Sequence, residues 1–159
     1  MHLKKNFLFL GISFLLVTSC SISKGARVDR NVLDGNWVLS QISYEGNQGK
    51  FKSVIFNDAE DTCFEGSNWF FRHNNSTGTY SLNNSCGATT RYIRWSVVER
   101  PGTNNQLQFK FTDDKFRDIS GGLGYRLDIT SLGEQNMTLK SNVSVDGEPI
   151  TLVYQFYKN

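Results

Sequence analysis

Gln106-Leu107-Gln108-Phe109-Lys110-Phe111 is the stretch on which the fold turns. Leu107, Phe109 and Phe111 alternate with Gln106, Gln108 and Lys110, and a period of two puts each set on its own face of a half-buried strand. The pattern repeats on both sides. Tyr125, Leu127 and Ile129 alternate with Arg126, Asp128 and Thr130, while Ile93, Trp95 and Val97 oppose Tyr92, Arg94 and Ser96 in a strand near 89–99 that Pro101-Gly102 ends. The intervening 113–122 is a polar connection with room for one helical turn. Further out, Trp37 and Leu39 mark a first strand reaching Tyr44, and 45–49 is its turn. Val54 and Phe56 mark a second strand, followed by an acidic connection over 57–61. Trp69 and Phe71 mark a third that ends at Asn74-Asn75-Ser76-Thr77-Gly78, where Asn and Gly tolerate the positive φ of a hairpin turn. Tyr80 and Leu82 continue the return strand, and two last strands fall near 136–141 and 149–158. No segment carries a helical period of useful length. Eight or nine short strands joined by tight turns describe an all-β, up-and-down antiparallel β-barrel with little helix, because sequential hairpins favour closure and closure removes exposed edges.

The N-terminal end has another character. Lys4 and Lys5 precede the apolar run Phe7 to Val17, then Thr18 and Ser19. That is the layout of an export signal over residues 1–19, and the run is shorter than the ~20 apolar residues a permanent span requires. Leu16-Val17-Thr18-Ser19-Cys20 resembles the lipobox of bacterial lipoproteins, which implies that Cys20 becomes the acylated N-terminus and that its acyl chains, palmitate among them, hold the protein to a membrane. Residues 20–33 turn polar and read as a tether, and 34–159 as the barrel domain. Fully extended, the fourteen residues Ser21 to Asp34 would reach ~45 to 50 Å. Cleavage after Ser19 leaves 140 of 159 residues and removes two of 17 Lys+Arg, leaving 15 against 15 Asp+Glu. Such a length suits one domain with a substantial core, and a neutral chain has no broad electrostatic reason to bind nucleic acid. With Cys20 assigned to lipid, Cys63 and Cys86 remain as a pair in an oxidising compartment, and a disulfide is expected. If the strands flanking residues 74–78 pair symmetrically, Trp69 faces Asn83 and both cysteines fall beyond the open end of that hairpin.

Leu33-Asp34-Gly35-Asn36-Trp37-Val38-Leu39 resembles the Gly-x-Trp opening of lipocalin-like barrels. Phe56-Asn57-Asp58, Cys63-Phe64-Glu65-Gly66-Ser67-x-Trp69-x-Phe71, Gly78-Thr79-Tyr80-Ser81-Leu82 and Tyr92-Ile93-Arg94-Trp95-Ser96 extend the likeness to a lipocalin-like lipoprotein family common in Bacteroidota. The resemblance covers nearly all of Leu33 to Tyr157 and implies an up-and-down barrel whose tryptophan plugs one end, with an envelope address. It implies no defined activity.

Catalytic readings find little support. The mature chain has one histidine, His73, at a strand end beside Arg72 and Asn74, so any histidine-based triad must run through it. A surface histidine near a turn is the plainer reading, and the chain is expected not to be an enzyme. No cofactor is expected. His73 with a bridged cysteine pair offers too few ligands for zinc, and Asp58, Glu60, Asp61 and Glu65 lack the spacing of a calcium loop, so they read as a solvated acidic segment with no metal site. Gly121-Gly122-Leu123-Gly124 lacks the Lys-Ser/Thr of a phosphate cradle and reads as a β-turn.

The rings are more informative. Trp37, Trp69, Phe71, Tyr80, Trp95, Phe109, Phe111, Tyr125, Tyr154 and Phe156 share the inward phase. They either line a ligand cavity open at one end or fill the barrel, whose eight-stranded interior is only wide enough for side chains or one small ligand. So many large rings favour a mostly filled interior with a shallow pocket. Arg91 and Arg94 point to opposite faces, so one of them faces the interior or its rim, and Arg94 is taken with the rings (Phe156 apart) as a ligand-lining candidate. The expected function is binding of a small, partly apolar molecule or lipid by a lipid-anchored barrel on the periplasmic face of the outer membrane. The rival is a filled barrel serving as a structural or protein-interaction module of the envelope, with an unknown protein partner.

Overall fold

The computed structural model describes residues 23–46, 53–145 and 147–159. The signal segment 1–19, the acylation candidate Cys20 and positions 47–49 of the first expected turn lie outside the described residues. Eight strands close into one antiparallel barrel, in the order β1-β10-β9-β8-β7-β6-β5-β4. They are β1 (Gly35–Glu45), β4 (Asn68–Arg72), β5 (Thr77–Ser81), β6 (Thr90–Val98), β7 (Gln106–Thr112), β8 (Tyr125–Leu132), β9 (Asn136–Val145) and β10 (Glu148–Lys158). Closure falls on β1, which pairs with β10 from Trp37↔Lys158 to Glu45↔Thr151 and with β4 from Gly35↔Phe71 to Val38↔Asn68. Beyond Val38, β1 parts from β4 and its backbone is satisfied by the segment before β4. Leu39 N donates to Ser67 O, Gly66 N donates to Leu39 O, and Ile42 N donates to the Glu65 carboxylate at 3.0 Å.

Residues 53–64 do not join the barrel wall. Val54 and Ile55 form β2 (Val54–Ile55), which pairs only with β3 (Ala59–Glu60), and α2 (Asp61–Phe64) follows. This corrects the reading of Val54 and Phe56 as a wall strand. Phe56 and Asn57 instead adopt φ 52° and 51°, and Asp58 N donates to Ile55 O at 3.0 Å, a tight turn of the primed type that aims its first side chain into the barrel.

The tether reading of 20–33 is corrected over its described part, because α1 (Lys24–Leu33) is a helix packed on one barrel end. Ser23 caps it by accepting a hydrogen bond from Ala26 N, and Ala26, Arg30 and Leu33 form its buried stripe. A single arginine in that stripe masks the period in a reading by hydrophobicity. Its guanidinium lies 4.9 Å from the Trp95 ring centroid and donates to Ser76 Oγ at 3.0 Å and to His73 O. Gly35, at φ +113°, turns the chain from helix into β1, and Trp37 Nε1 donates back to Leu33 O at 2.8 Å. Lys158 Nζ donates to Val32 O at 2.9 Å, so α1 is bolted to the first and last strands. This is the closed end of the barrel.

The interior is filled by rings. Trp69 stacks on Tyr80 at 4.4 Å, Phe71 meets Trp95 edge-on at 5.4 Å, and Phe109 lies 5.8 Å from Trp69. Gly78 stands opposite Phe71, where a Cβ would come within 2.5 Å of Phe70 O, so β5 can approach β4 only without a side chain there. The expected symmetric register is corrected: Trp69 faces Tyr80, not Asn83. The Cys63–Cys86 disulfide nonetheless forms, with Cα atoms 5.6 Å apart, because α2 brings Cys63 to the turn Asn84–Cys86. Closing that loop stabilises by ~3 kcal/mol in the chain-entropy account. The 113–122 connection holds no helical turn; it is a loop pinned by the Thr112↔Asp118 bridge.

Candidate functional site at the barrel mouth

The end opposite α1 is the mouth, and the β2–β3 turn plugs it. Phe56 is only 8% exposed, and its ring centroid lies within 4.9 to 6.2 Å of Phe64, Trp69, Phe109, Tyr125 and Tyr154. Three inward tyrosines hold the plug by their hydroxyls. Tyr125 Oη donates to Phe56 O at 2.5 Å, Tyr80 Oη donates to Asp58 at 2.6 Å, and Tyr44 Oη bonds Ser53 Oγ at 2.7 Å and donates to Asp61. Arg91 completes the socket, its Nε 2.8 Å and its NH2 3.1 Å from the Asp58 carboxylate. Asp58, Asp61 and Glu65 are therefore not a solvated acidic loop; each carboxylate accepts from the barrel.

Burial and these contacts shift the tyrosines. Burial pushes Tyr44 up to about 12, with the Asp61 hydrogen bond in the same direction. Burial also raises Tyr154 to about 12, against a hydrogen bond with Ser141. Tyr80 and Tyr125 are raised by burial too, with Asp58 adding to both.

Beside the plug a cleft of about 740 Å³ opens between it, the starts of β6 and β8, the end of β7 and the 113–124 loop. Asn57, Asp58, Arg91 and Ser120 give it polar walls, and Phe111, Ile119, Leu123 and Tyr125 an apolar side. Ile119 and Leu123 stand at the rim, 65% and 77% exposed. Their loop is braced from within: Asp113 accepts from Arg117 Nε at 2.6 Å, Lys110 Nζ reaches Asp118 at 2.5 Å, and Ser120 Oγ donates to Phe111 O at 3.0 Å. Hydrogen bonds from Arg117 hold the Asp113 carboxyl below its ordinary value, and Lys110 does the same for Asp118. On the wall of this cleft, Thr112 Oγ1 is buried with no hydrogen-bond partner among the described residues. A second cleft of about 530 Å³ lies across Tyr125, between the plug and β8, β9 and β10, with Tyr154 in its lining.

Of the expected lining residues, Phe111 and Tyr125 meet the mouth cleft. Trp69, Phe71, Tyr80, Trp95 and Phe109 are packed in the core, and Trp37 is buried at the closed end. These are corrected from lining to filling, since the rings and Phe56 occupy the axis themselves. Arg94 is corrected too: it is exposed on the outer wall, with its Nε donating to Phe116 O at 2.9 Å. Arg91 is the inward arginine of that pair. His73 is half exposed, its Nδ1 3.1 Å from Asp34. Among the described residues no group of His, Cys, Asp and Glu is arranged to hold a metal ion. Sequence reasoning missed Phe56 as a plug and Ile119 and Leu123 as a rim. The signal for the first was Asn57-Asp58 directly after Phe56, a turn pair that ends a strand before it can cross a barrel.

The family model of the lipocalin-like domain matches residues 33–139, and the chain belongs to that family. Among curated proteins none matches the chain. Of solved structures, a lipocalin-like protein from Bacteroides uniformis is similar over 80% of this chain and 99% of its own, at 15% identity and a TM-score of 0.44.

Proposed function

We propose that this protein is a lipid-anchored lipoprotein of the cell envelope that binds a small, partly apolar molecule at the mouth of its barrel. The cleft beside the Phe56 plug carries this reading, since an apolar rim over fixed polar groups is how a pocket takes an amphipathic ligand and orients it. Binding is placed at the mouth and not on the axis, because the axis is taken by the chain's own rings. Acylation at Cys20 and residence on the periplasmic face of the outer membrane rest on the export signal and the lipobox-like segment. The role is non-catalytic. A filled barrel acting as an interaction module is the second reading, favoured by the same exposed Ile119 and Leu123, which would then seat on a protein.

Fluorescence titration with 1-anilinonaphthalene-8-sulfonate separates the two, alongside native mass spectrometry of protein isolated from its own envelope. The binding reading expects saturable enhancement that Ile119→Glu with Leu123→Glu abolishes and Thr130→Ala on the outer wall leaves intact, together with a small-molecule adduct. A response indifferent to the rim pair, with no adduct, would leave the interaction module as the better account.

A further inference from the structure

We propose that the α1-capped end of the barrel rests on the headgroups of an anionic bilayer, so that the mouth opens away from the membrane holding the protein. The inference rests on acylation of Cys20 and goes beyond it to the partner surface and the direction of the site. Ten of the residues between Cys20 and Asp34 are wound into α1 and fixed on the barrel by Arg30 and Leu33. Only Ser21, Ile22 and Ser23 remain between the acylated thiol and the helix. Even fully extended, that leash reaches only ~14 Å. The nine residues of β6 rise ~3.3 Å each and tilt by ~40°, which sets the mouth ~20 to 25 Å beyond the closed end. An anchor shorter than the barrel holds the closed end down.

The surface it presents suits that contact. Lys24, Arg27, Val28 and Asn31 form the exposed stripe of α1, opposite its buried stripe, and Val28 is 60% exposed next to the two cations. Among the described residues, neither the Lys24 nor the Arg27 side chain has a hydrogen-bond or ion-pair partner. Of the acids near the helix, Asp29 accepts from Asn105 Nδ2 at 2.7 Å and Asp34 is engaged by His73, while the exposed Glu99 lies beside Gly25, where a Cβ would meet its carboxyl at 3.4 Å. Two exposed cations next to an apolar side chain, beside an acyl anchor, are drawn to anionic headgroups. In this pose ligands reach the cleft from the aqueous compartment, not from the anchoring leaflet.

The test uses the acylated full-length protein with single cysteines introduced by Val28→Cys or Leu123→Cys. Cys63 and Cys86 are bridged and leave the labelling clean. Each variant carries a bimane label and is reconstituted in vesicles of equal parts phosphatidylcholine and phosphatidylglycerol containing a headgroup spin-label quencher. Quenching at 28 should exceed that at 123 severalfold, and Lys24→Glu with Arg27→Glu should shrink the difference on these vesicles more than on pure phosphatidylcholine. Acylated protein quenched equally at both sites, or more strongly at 123, overturns the orientation while leaving the anchor standing. Protein whose intact mass lacks the acyl chains overturns the anchor, and the orientation with it.

Discussion

Truncating Phe56 tests the plug directly. Its ring is nearly fully buried and touches five other rings, so Phe56→Ala forfeits the burial of a core aromatic. Such changes cost ~3 to 5 kcal/mol, and the open cleft alongside lets water relax the cavity, which points to ~3 kcal/mol. Alanine does nothing for the backbone, which stays at φ 52°. Glycine does, because the left-handed region costs an L-residue about 1 kcal/mol that glycine avoids. Phe56→Gly should therefore be more stable than Phe56→Ala by about 1 kcal/mol, the reverse of their order in a strand or helix. Guanidinium unfolding at neutral pH, followed by tryptophan fluorescence with the disulfide intact, measures both differences. A midpoint loss below about 1 kcal/mol for alanine would mean that Phe56 does not fill the barrel mouth. Glycine less stable than alanine would refute the turn geometry.

Thr112→Val removes a buried hydroxyl that has no partner while keeping its shape, so it should be neutral or stabilising by up to about 1 kcal/mol in thermal melts. A clear loss of stability would show that the hydroxyl is satisfied in solution. Alkaline pH should unfold the protein in a defined window. Tyr44 and Tyr154 titrate near 12 in the folded state and ~10 when unfolded, so their contribution is intact below pH ~10 and lost as pH climbs toward 12. Melting temperature should thus be flat up to about pH 10 and then fall, and Tyr154→Phe should flatten the fall whereas the exposed Tyr157→Phe should not. Equal slopes in the two variants would mean that Tyr154 is not held neutral by burial.

Much of the wall was legible before any coordinates. Strands β6, β7 and β8 follow period-two runs, because each buries one face and leaves the other wet, and that arrangement alone writes alternation into the residues. The Cys63–Cys86 pair was legible from the expected export and an even count once Cys20 is set aside. The mouth was not. Val54, Ile55 and Phe56 carry strand chemistry, yet they fold into the barrel because the space above Trp69 must be filled and a short hairpin from the β1–β4 connection fills it. Helix α1 was hidden for a related reason: Arg30 occupies its buried stripe and is tolerated there only because Trp95 on β6, with Ser76 and a backbone carbonyl of the β4–β5 turn, receives its charge.

By itself, then, the chain determined that it is a closed β-barrel with one ring-rich face, since alternation is a local consequence of which side meets water. Only the tertiary structure decided that the rings are a filling and not a lining, that Arg91 and not Arg94 turns inward, and that the presumed tether is a lid on the closed end. Those outcomes depend on which residues from separate strands compete for the same volume, and a linear pattern holds no information about volume.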